Sequence, residues 1–247
     1  MYKKIANYFR NLAKNDPFVS ILVPIVTAGI ILSLVICFQK PSEIITALPL
    51  FVSIIIMVLQ ADANRYAFLL GSINSVFYAA VYFMFTLHSS ALSALLISFP
   101  IQMLTFIRWN KRKYKNSTVF SKLSWPMRGV CLIAGVAAVL LLNGALGKLG
   151  SEYIILDNVT TVLGIFTYIF TFFSLVEYPI LQIAGTLIAS ANYFMMIADG
   201  NLTLVPHLIY NVYCIICIVK AALSVYKLYT EQRKNRLQGD AENDKRD

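Results

Sequence analysis

Eight long apolar runs follow one another along the chain, and short polar segments separate them. A helix rises about 1.5 Å per residue, so roughly 20 apolar residues cross the ~30 Å of hydrocarbon in a bilayer. The pattern predicts spans at 18–38, 44–60, 66–86, 91–109, 129–146, 157–175, 178–198 and 203–225. It therefore predicts an all-α membrane protein with about eight transmembrane helices.

Charge is scarce, and its placement sets the predicted topology. The chain is 58% hydrophobic and only 13% charged, against about 25% charged residues in soluble domains. With eight spans, one face of the membrane receives 19 of the 21 Lys and Arg residues, and the other receives Lys40 and Lys148. The positive-inside rule then predicts a multi-pass membrane protein with both termini in the cytoplasm. Because the cations flank apolar runs, we expect a lipid bilayer and not nucleic acid as their partner.

These boundaries divide the chain into six segments. Spans two to four and six to eight resemble each other, because VYFMF (81–85) and NYFMM (192–196) each close a span that opens with a charged residue and Tyr. Two three-helix repeats joined by one linking helix must run parallel, related by an axis along the membrane normal. The segments are an amphipathic N-terminus (1–17), an extra helix (18–42), the first repeat (43–115), a basic loop with the linking helix (116–150), the second repeat (151–229) and a charged tail (230–247).

No catalytic or metal-binding pattern accompanies the spans. His88 and His207 have no partner at catalytic spacing, and no phosphate-binding or dinucleotide-binding motif is present. Cys214 and Cys217 form a C-x-x-C in an apolar run without a second ligand pair, which favours inert, small apolar side chains. The sequence therefore predicts no enzyme, no cofactor and no metal.

Neutral polar residues inside the spans are the candidates for a binding site. An amide that faces lipid costs several kcal/mol unless it is paired, so these groups must face the bundle interior. Taken singly, each could equally be a bond between helices. Together, amides from both repeats beside tyrosine rings suit a ring compound with hydroxyls and suit a phosphate ester poorly. The candidates at this stage include Asn74, Tyr78, Gln102, Thr161, Tyr178, Asn192 and Asn211.

Three ionisable residues are candidates for gates or caps. Asp157 opens span six, where it either caps the helix N-terminus or contacts a cationic substrate. Arg65 and Glu177 occupy similar places in the two repeats. They either pair across the repeats or remain solvated, and the sequence leaves both alternatives open.

Four stretches together resemble the PnuC family of vitamin transporters: GSINSVFYA (71–79), FPIQMLTFIRWNK (99–111), LDNVTTVL (156–163) and EYPIL (177–181). The resemblance runs from about residue 48 to residue 229. It implies a SWEET-like duplicated fold and facilitated uptake of nicotinamide riboside, or of thiamine or riboflavin in other branches. It also implies that a cytoplasmic kinase traps the imported substrate, with no ion coupling.

Carried over by position, the resemblance implies substrate contacts at Asn74, Gln102, Thr161 and Tyr178, and also at Asn192 and Asn211. The chain departs from the family at Tyr178 and Leu181, where tryptophans are common. The first hypothesis is a bacterial inner-membrane transporter of an unphosphorylated vitamin or nucleoside that works by alternating access, with a homo-oligomer as an open alternative to a monomer. A deoxynucleoside transporter, a sugar-transporting SWEET relative, a membrane-embedded enzyme and a scaffold without transport are the rival interpretations.

Overall fold

The computed structural model describes residues 18–37, 41–146 and 153–243, which form eight long helices and one small hairpin. The predicted amphipathic segment 1–17 lies outside the described residues. In chain order the elements are α1 (a π-helical turn Phe18–Leu22, then Val23–Cys37), α2 (Pro41–Ala61), α3 (Tyr66–Met84), α4 (His88–Lys111, with a π-helical turn Ala94–Ser98), β1 (Lys113–Tyr114), β2 (Ser117–Thr118), α5 (Trp125–Leu146), α6 (Ile154–Phe172), α7 (Tyr178–Ala198) and α8 (Val205–Asn243).

The helices confirm the predicted membrane fold. Within the described ranges, seven helices are long and apolar enough to cross a membrane, and α2 adds a shorter apolar stretch, Leu48–Ala61. The last helix continues past the predicted end of its span at Val225 and reaches Asn243. The charged tail therefore begins as a continuation of α8.

Six helices form a closed ring around the centre of the protein. In the first repeat α3 packs against α2 and α4, and in the second α7 packs against α6 and α8. The ring closes where α2 packs against α8 and where α4 packs against α6. A two-fold axis would exchange these two contacts, which is the arrangement that parallel repeats require.

The turns of the two repeats match in backbone detail. Ala63 and Ser174 have φ of 50° and 59°, and Thr86 and Gly200 have φ of 57° and 100°. Each of these residues follows a helix in a Schellman motif, in which its own N–H and the next one bond back to the last helical turn. Ala63 and Ser174 are 111 residues apart and Thr86 and Gly200 are 114 apart, so the second repeat has three extra residues between its two turns.

The turns after α2 and α6 agree with the sequence motifs, and the turns after α3 and α7 differ from them. Matching VYFMF to NYFMM implies an offset of 111 residues, which is also the offset between Ala63 and Ser174. Thr86 and Gly200 imply an offset of 114, a difference of three residues or nearly one helical turn. In keeping with this difference, α7 has 21 residues and α3 has 19.

Two helices lie outside the ring. α1 packs on α2 and α8, where Ile30, Leu50, Cys214 and Cys217 are buried together. Both cysteines are free, in keeping with their predicted role as apolar side chains. α5, the predicted linking helix, packs chiefly against α6.

The connections α2–α3, α4–α5 and α6–α7 share one end of the bundle, which we call the basic end because it carries the Arg108–Arg128 cations. The opposite end is called the distal end. At the basic end the loop after β2 folds back onto α8. Gln232 accepts a bond from Phe120 N and donates to Thr118 O, both at 2.9 Å. Exposed Lys115 pairs with Glu231 at 2.6 Å.

Candidate functional site

A cavity of about 270 Å³ lies at the centre of the six-helix ring. All six helices of the two repeats line it, whereas none of the described residues of α1 or α5 does. The lining consists of Met57, Gln60, Phe68, Ser75, Tyr78, Tyr82, Ala94, Ser98, Gln102, Thr160, Gly164, Thr167, Tyr168, Thr171, Gln182, Gly185, Thr186, Ala189, Tyr193, His207, Tyr210, Asn211, Cys214 and Ile218.

The cavity is polar without being charged. Five tyrosines, four carboxamides, six hydroxyls and one histidine line it, and none of the described lining residues is Lys, Arg, Asp or Glu. Tyrosine offers a ring face and a hydroxyl, and a carboxamide offers both donors and acceptors. Such a lining can bind a flat ring and hydrogen-bond the groups attached to it.

Gln102 belongs to a hydrogen-bonded group on one wall of the cavity. Its Nε2 lies 2.9 Å from Ser75 Oγ and 2.7 Å from Ser98 Oγ, and the two hydroxyls lie 2.8 Å apart. A Cβ placed on Gly71 would come within 2.0 Å of Gln102 Oε1. Gly71 is therefore the position that leaves room for the Gln102 amide.

Gln60 and Gln182 form a second polar group, which joins the repeats. Gln60 Nε2 donates to Gln182 Oε1 at 3.4 Å, and Gln182 Nε2 donates back to Gln60 Oε1 at 3.2 Å. This reciprocal pair of carboxamides crosses from α2 to α7. A carboxamide on a ligand has the same donor and acceptor geometry, so it could replace either partner.

Three lining residues carry buried polar atoms without a hydrogen-bond partner: Thr160 Oγ1, His207 Nε2 and Asn211 Nδ2. Leaving such an atom unsatisfied costs about 1–3 kcal/mol. His207 is held edge-on against Phe85 and Tyr193, with ring centroids 5.7 and 5.8 Å away. These atoms are positioned to bond a bound molecule.

Clusters of buried side chains lie beyond the cavity at both ends. At the basic end Trp109 packs edge-on against Phe68 and Phe120, and its Nε1 donates to Thr171 O at 2.9 Å. The cluster at the distal end consists of Val81, Phe85, Leu87, Tyr193, Met196 and Leu204. Each cluster contains residues from both repeats, so a change in the angle between the repeats would open either one.

The structure places the predicted contact residues in different surroundings. Tyr78, Gln102 and Asn211 line the cavity. Asn74 lies behind that lining, where its Nδ2 donates to Pro49 O and to Ser53 Oγ, and Ser53 in turn bonds the Tyr78 hydroxyl.

The other three predicted contacts lie outside the lining that the described residues form. Thr161 has its hydroxyl 3.4 Å from Ser90 Oγ. Asn192 is buried on α7. Tyr178 is fully buried in the aromatic cluster at the basic end, and Leu181 packs beside it.

Glu177 is bound by a cation other than Arg65. Arg128 Nη2 lies 2.6 Å from Glu177 Oε1, and Leu123 N donates to the same carboxylate at 3.1 Å. Arg65 lies over the Tyr66 ring instead, at 5.3 Å from its centroid. The proposed pair across the repeats does not form here, because α5 begins beside α7 and supplies the nearer partner.

Asp157 caps a neighbouring helix and not its own. Its Oδ2 accepts from Ser89 N at 3.1 Å, and its Oδ1 accepts from the Ser90 hydroxyl, both in the first turn of α4. The first N–H groups of a helix lack partners within it. Asp157 therefore ties α4 to α6, which is one of the two contacts between the repeats.

Replacing Asp157 with alanine is expected to lower the free energy of unfolding by about 1–2 kcal/mol, because the first turn of α4 loses its acceptor. Asp157→Asn keeps a carbonyl oxygen and should lose less. Thermal unfolding of both variants in detergent measures the difference. Equal stability of Asp157→Ala and the unaltered chain would contradict the cap.

Sequence reasoning missed most of the aromatic lining. Tyr82, Tyr168, Tyr193 and Tyr210 all face the cavity. A tyrosine in an apolar run reads equally well as an interfacial or a packing residue. The turns after α2 and α6 offer one signal, because in their alignment Met57 and Gln60 correspond to Tyr168 and Thr171, and all four line the cavity.

Two three-helix bundles around a polar cavity are an architecture typical of membrane transporters. A model of the family described as nicotinamide mononucleotide transporter matches residues 43–223. The chain belongs to this family, the PnuC transporters.

A solved structure shares the fold. The crystal structure of the vitamin B3 transporter PnuC is similar, with a TM-score of 0.74 and 19% sequence identity over 87% of this chain and 93% of that chain. No curated protein sequence resembles the chain closely enough to count as a match.

Proposed function

We propose that the chain carries an unphosphorylated vitamin or nucleoside into the cell, with nicotinamide riboside as the first candidate. The observation that supports this proposal is the uncharged cavity between the repeats, lined by tyrosines and carboxamides. A pyridinium ring can stack on tyrosine faces, a contact worth roughly 0.5–2 kcal/mol. The carboxamide and the ribose hydroxyls fit the surrounding donors and acceptors.

A phosphorylated substrate fits this lining poorly. A phosphate monoester carries about −1.5 to −2 charges at neutral pH, and burying it requires cations or helix N-termini. The described lining supplies no Lys or Arg. We therefore propose the riboside and not the mononucleotide that the family description names.

The proposed mechanism is facilitated diffusion by alternating access. The two bundles would rock about the cavity, so that the aromatic cluster at the basic end and the cluster at the distal end separate in turn. The 19 clustered cations support a cytoplasmic basic end in a bacterial inner membrane. A cytoplasmic kinase would then trap the substrate, because its phosphate would prevent return through an uncharged cavity.

Ligand binding to the purified chain tests the substrate class. The measured quantity is the shift in the melting temperature of the chain on adding each ligand. The ligands are nicotinamide riboside and its mononucleotide as a matched pair, thiamine, riboflavin, a deoxynucleoside and glucose. We expect nicotinamide riboside to give the largest shift and its mononucleotide little. A larger shift with the mononucleotide would contradict the proposal, and a shift with glucose alone would favour the sugar transporter.

A further inference from the structure

A second cavity lies away from the transport site, in a groove between α5 and the second repeat. Its volume is about 630 Å³, larger than that of the central cavity. One face comes from α5 and the preceding loop, and the other from α6 and α7. The groove is lined by Leu123, Arg128, Cys131, Leu132, Gly135, Val136, Val139, Leu140, Val159, Val162, Leu163, Phe166, Phe170, Glu177, Ile180 and Leu181.

The groove exists because α5 makes limited contact with the rest of the protein. No residue of Trp125–Ala145 is buried in the protein. On the opposite wall Phe166, Phe170 and Leu181 present an apolar surface. In a bilayer such a groove cannot hold water, so an apolar chain must fill it.

Polar groups are confined to the basic end of the groove. Arg128 and Glu177 are its charged members among the described residues, and their ion pair holds the guanidinium at the groove mouth. Trp125 is 81% exposed, and its ring lies 4.8 Å from Arg128 Cζ. Exposed Lys122 precedes the lining residue Leu123. Exposed Trp beside cations is typical of the level of the lipid head groups.

The length of the groove corresponds to one leaflet. At ~1.5 Å per residue, α5 rises about 18 Å from Arg128 to Leu140. Half of a ~30 Å hydrocarbon core is about 15 Å. The apolar part therefore ends near the middle of the bilayer, where an acyl chain that starts at the basic end would also end.

We infer that this groove binds an anionic phospholipid of the leaflet at the basic end. One acyl chain lies between α5 and α6–α7, and the phosphate contacts Arg128 and Lys122, whose two positive charges exceed the single charge of Glu177. Cationic pockets between helices at this level bind anionic head groups. The lipid completes the packing of the linking helix against the second repeat.

Native mass spectrometry of the full chain tests this inference. The protein is purified in the presence of equal amounts of anionic and zwitterionic phospholipids with identical acyl chains. Wild type is expected to retain one anionic lipid per chain. Val136→Trp fills the groove and should lower that retention at least tenfold. Ile133→Trp is the matched control, because Ile133 is on the same helix, 72% exposed, and outside the groove lining. Equal retention in both variants would overturn the inference.

The head group is tested separately on the wild type, which does not depend on any variant folding. We expect at least fivefold preference for the anionic lipid, and Arg128→Gln should reduce this preference. Equal retention of the two lipids by wild type would overturn the assignment. The same spectra report the oligomeric state. If wild type is an oligomer without bound lipid and Val136→Trp is a monomer, a second copy of the chain covers the groove and the inference is overturned.

Discussion

Replacing Gly71 with alanine is expected to weaken substrate binding by about ten- to a hundredfold. The new methyl group would lie 2.0 Å from Gln102 Oε1 and would force the amide away from Ser75 and Ser98. In the proposed site the displaced amide would no longer meet the substrate, and each hydrogen bond to the substrate that is lost costs about 0.5–1.5 kcal/mol, where 1.4 kcal/mol corresponds to tenfold in affinity. Titration of the substrate by isothermal calorimetry or fluorescence measures the change.

A helical glycine outside the cavity lining is the matched control. A Cβ on Gly29 in α1 would meet only Ile209 Cγ2 at 3.7 Å, an ordinary contact. Gly29→Ala should therefore bind substrate nearly as well as wild type and should gain up to about 1 kcal/mol in stability, because alanine favours the helix. If both variants bind equally, Gln102 does not contribute to the site.

Replacing Gln182 with leucine is expected to cost at least tenfold in affinity for a ligand that carries a carboxamide. The variant removes one half of the pair that joins Gln182 to Gln60 and leaves the remaining amide unpaired, a cost of about 1–3 kcal/mol. Two ligands that differ only in bearing a carboxamide or a carboxylate distinguish recognition of the carboxamide from a general effect of leucine on the packing of the cavity. Because a carboxylate has no donor, wild type should prefer the carboxamide, and Gln182→Leu should lose that preference.

A double-mutant cycle supplies the control. The Gln60→Leu and Gln182→Leu double variant has neither amide, so its stability should exceed the value that the two single variants predict by addition. Strict additivity in stability would show that the two amides do not interact. An unchanged carboxamide preference in Gln182→Leu would remove this pair from the substrate site.

The sequence predicted the bundle well because membrane spans leave a strong signal. A run of some 20 apolar residues has few alternatives in a bilayer, and α7 has the predicted bounds Tyr178–Ala198. Buried amides carry a similar signal, since hydrocarbon excludes them. Of the predicted contacts, Tyr78, Gln102 and Asn211 share the central cavity.

The partners of those residues could not be predicted. Gln60 and Gln182 are 122 residues apart and meet only because α2 and α7 face the same cavity. Asp157 was expected either to cap its own helix or to contact a cationic substrate, but the geometry turns it towards α4. Tyr178 was expected in the site from its place in a motif, whereas the turn before α7 directs it into the aromatic cluster. These outcomes depend on helix rotation, which apolar composition does not fix.

The repeat illustrates the same limit. The corresponding turns of the two repeats are marked by four residues with positive φ, of which only Gly200 is glycine. Asparagine and glycine are the usual residues at such positions. The residue types of Ala63, Thr86 and Ser174 therefore did not predict a left-handed turn. The backbone, and not the side-chain pattern, carries the symmetry.

Uptake by the purified chain in proteoliposomes tests the central claim most directly. Radiolabelled nicotinamide riboside and its mononucleotide are offered without any ion gradient, to wild type and to Gly71→Ala with Gly29→Ala as control. We predict that wild type and Gly29→Ala equilibrate the riboside, that Gly71→Ala is at least tenfold slower at low substrate, and that the mononucleotide is excluded. Accumulation of neither compound, or faster entry of the mononucleotide, would contradict an uncharged central site for an unphosphorylated substrate.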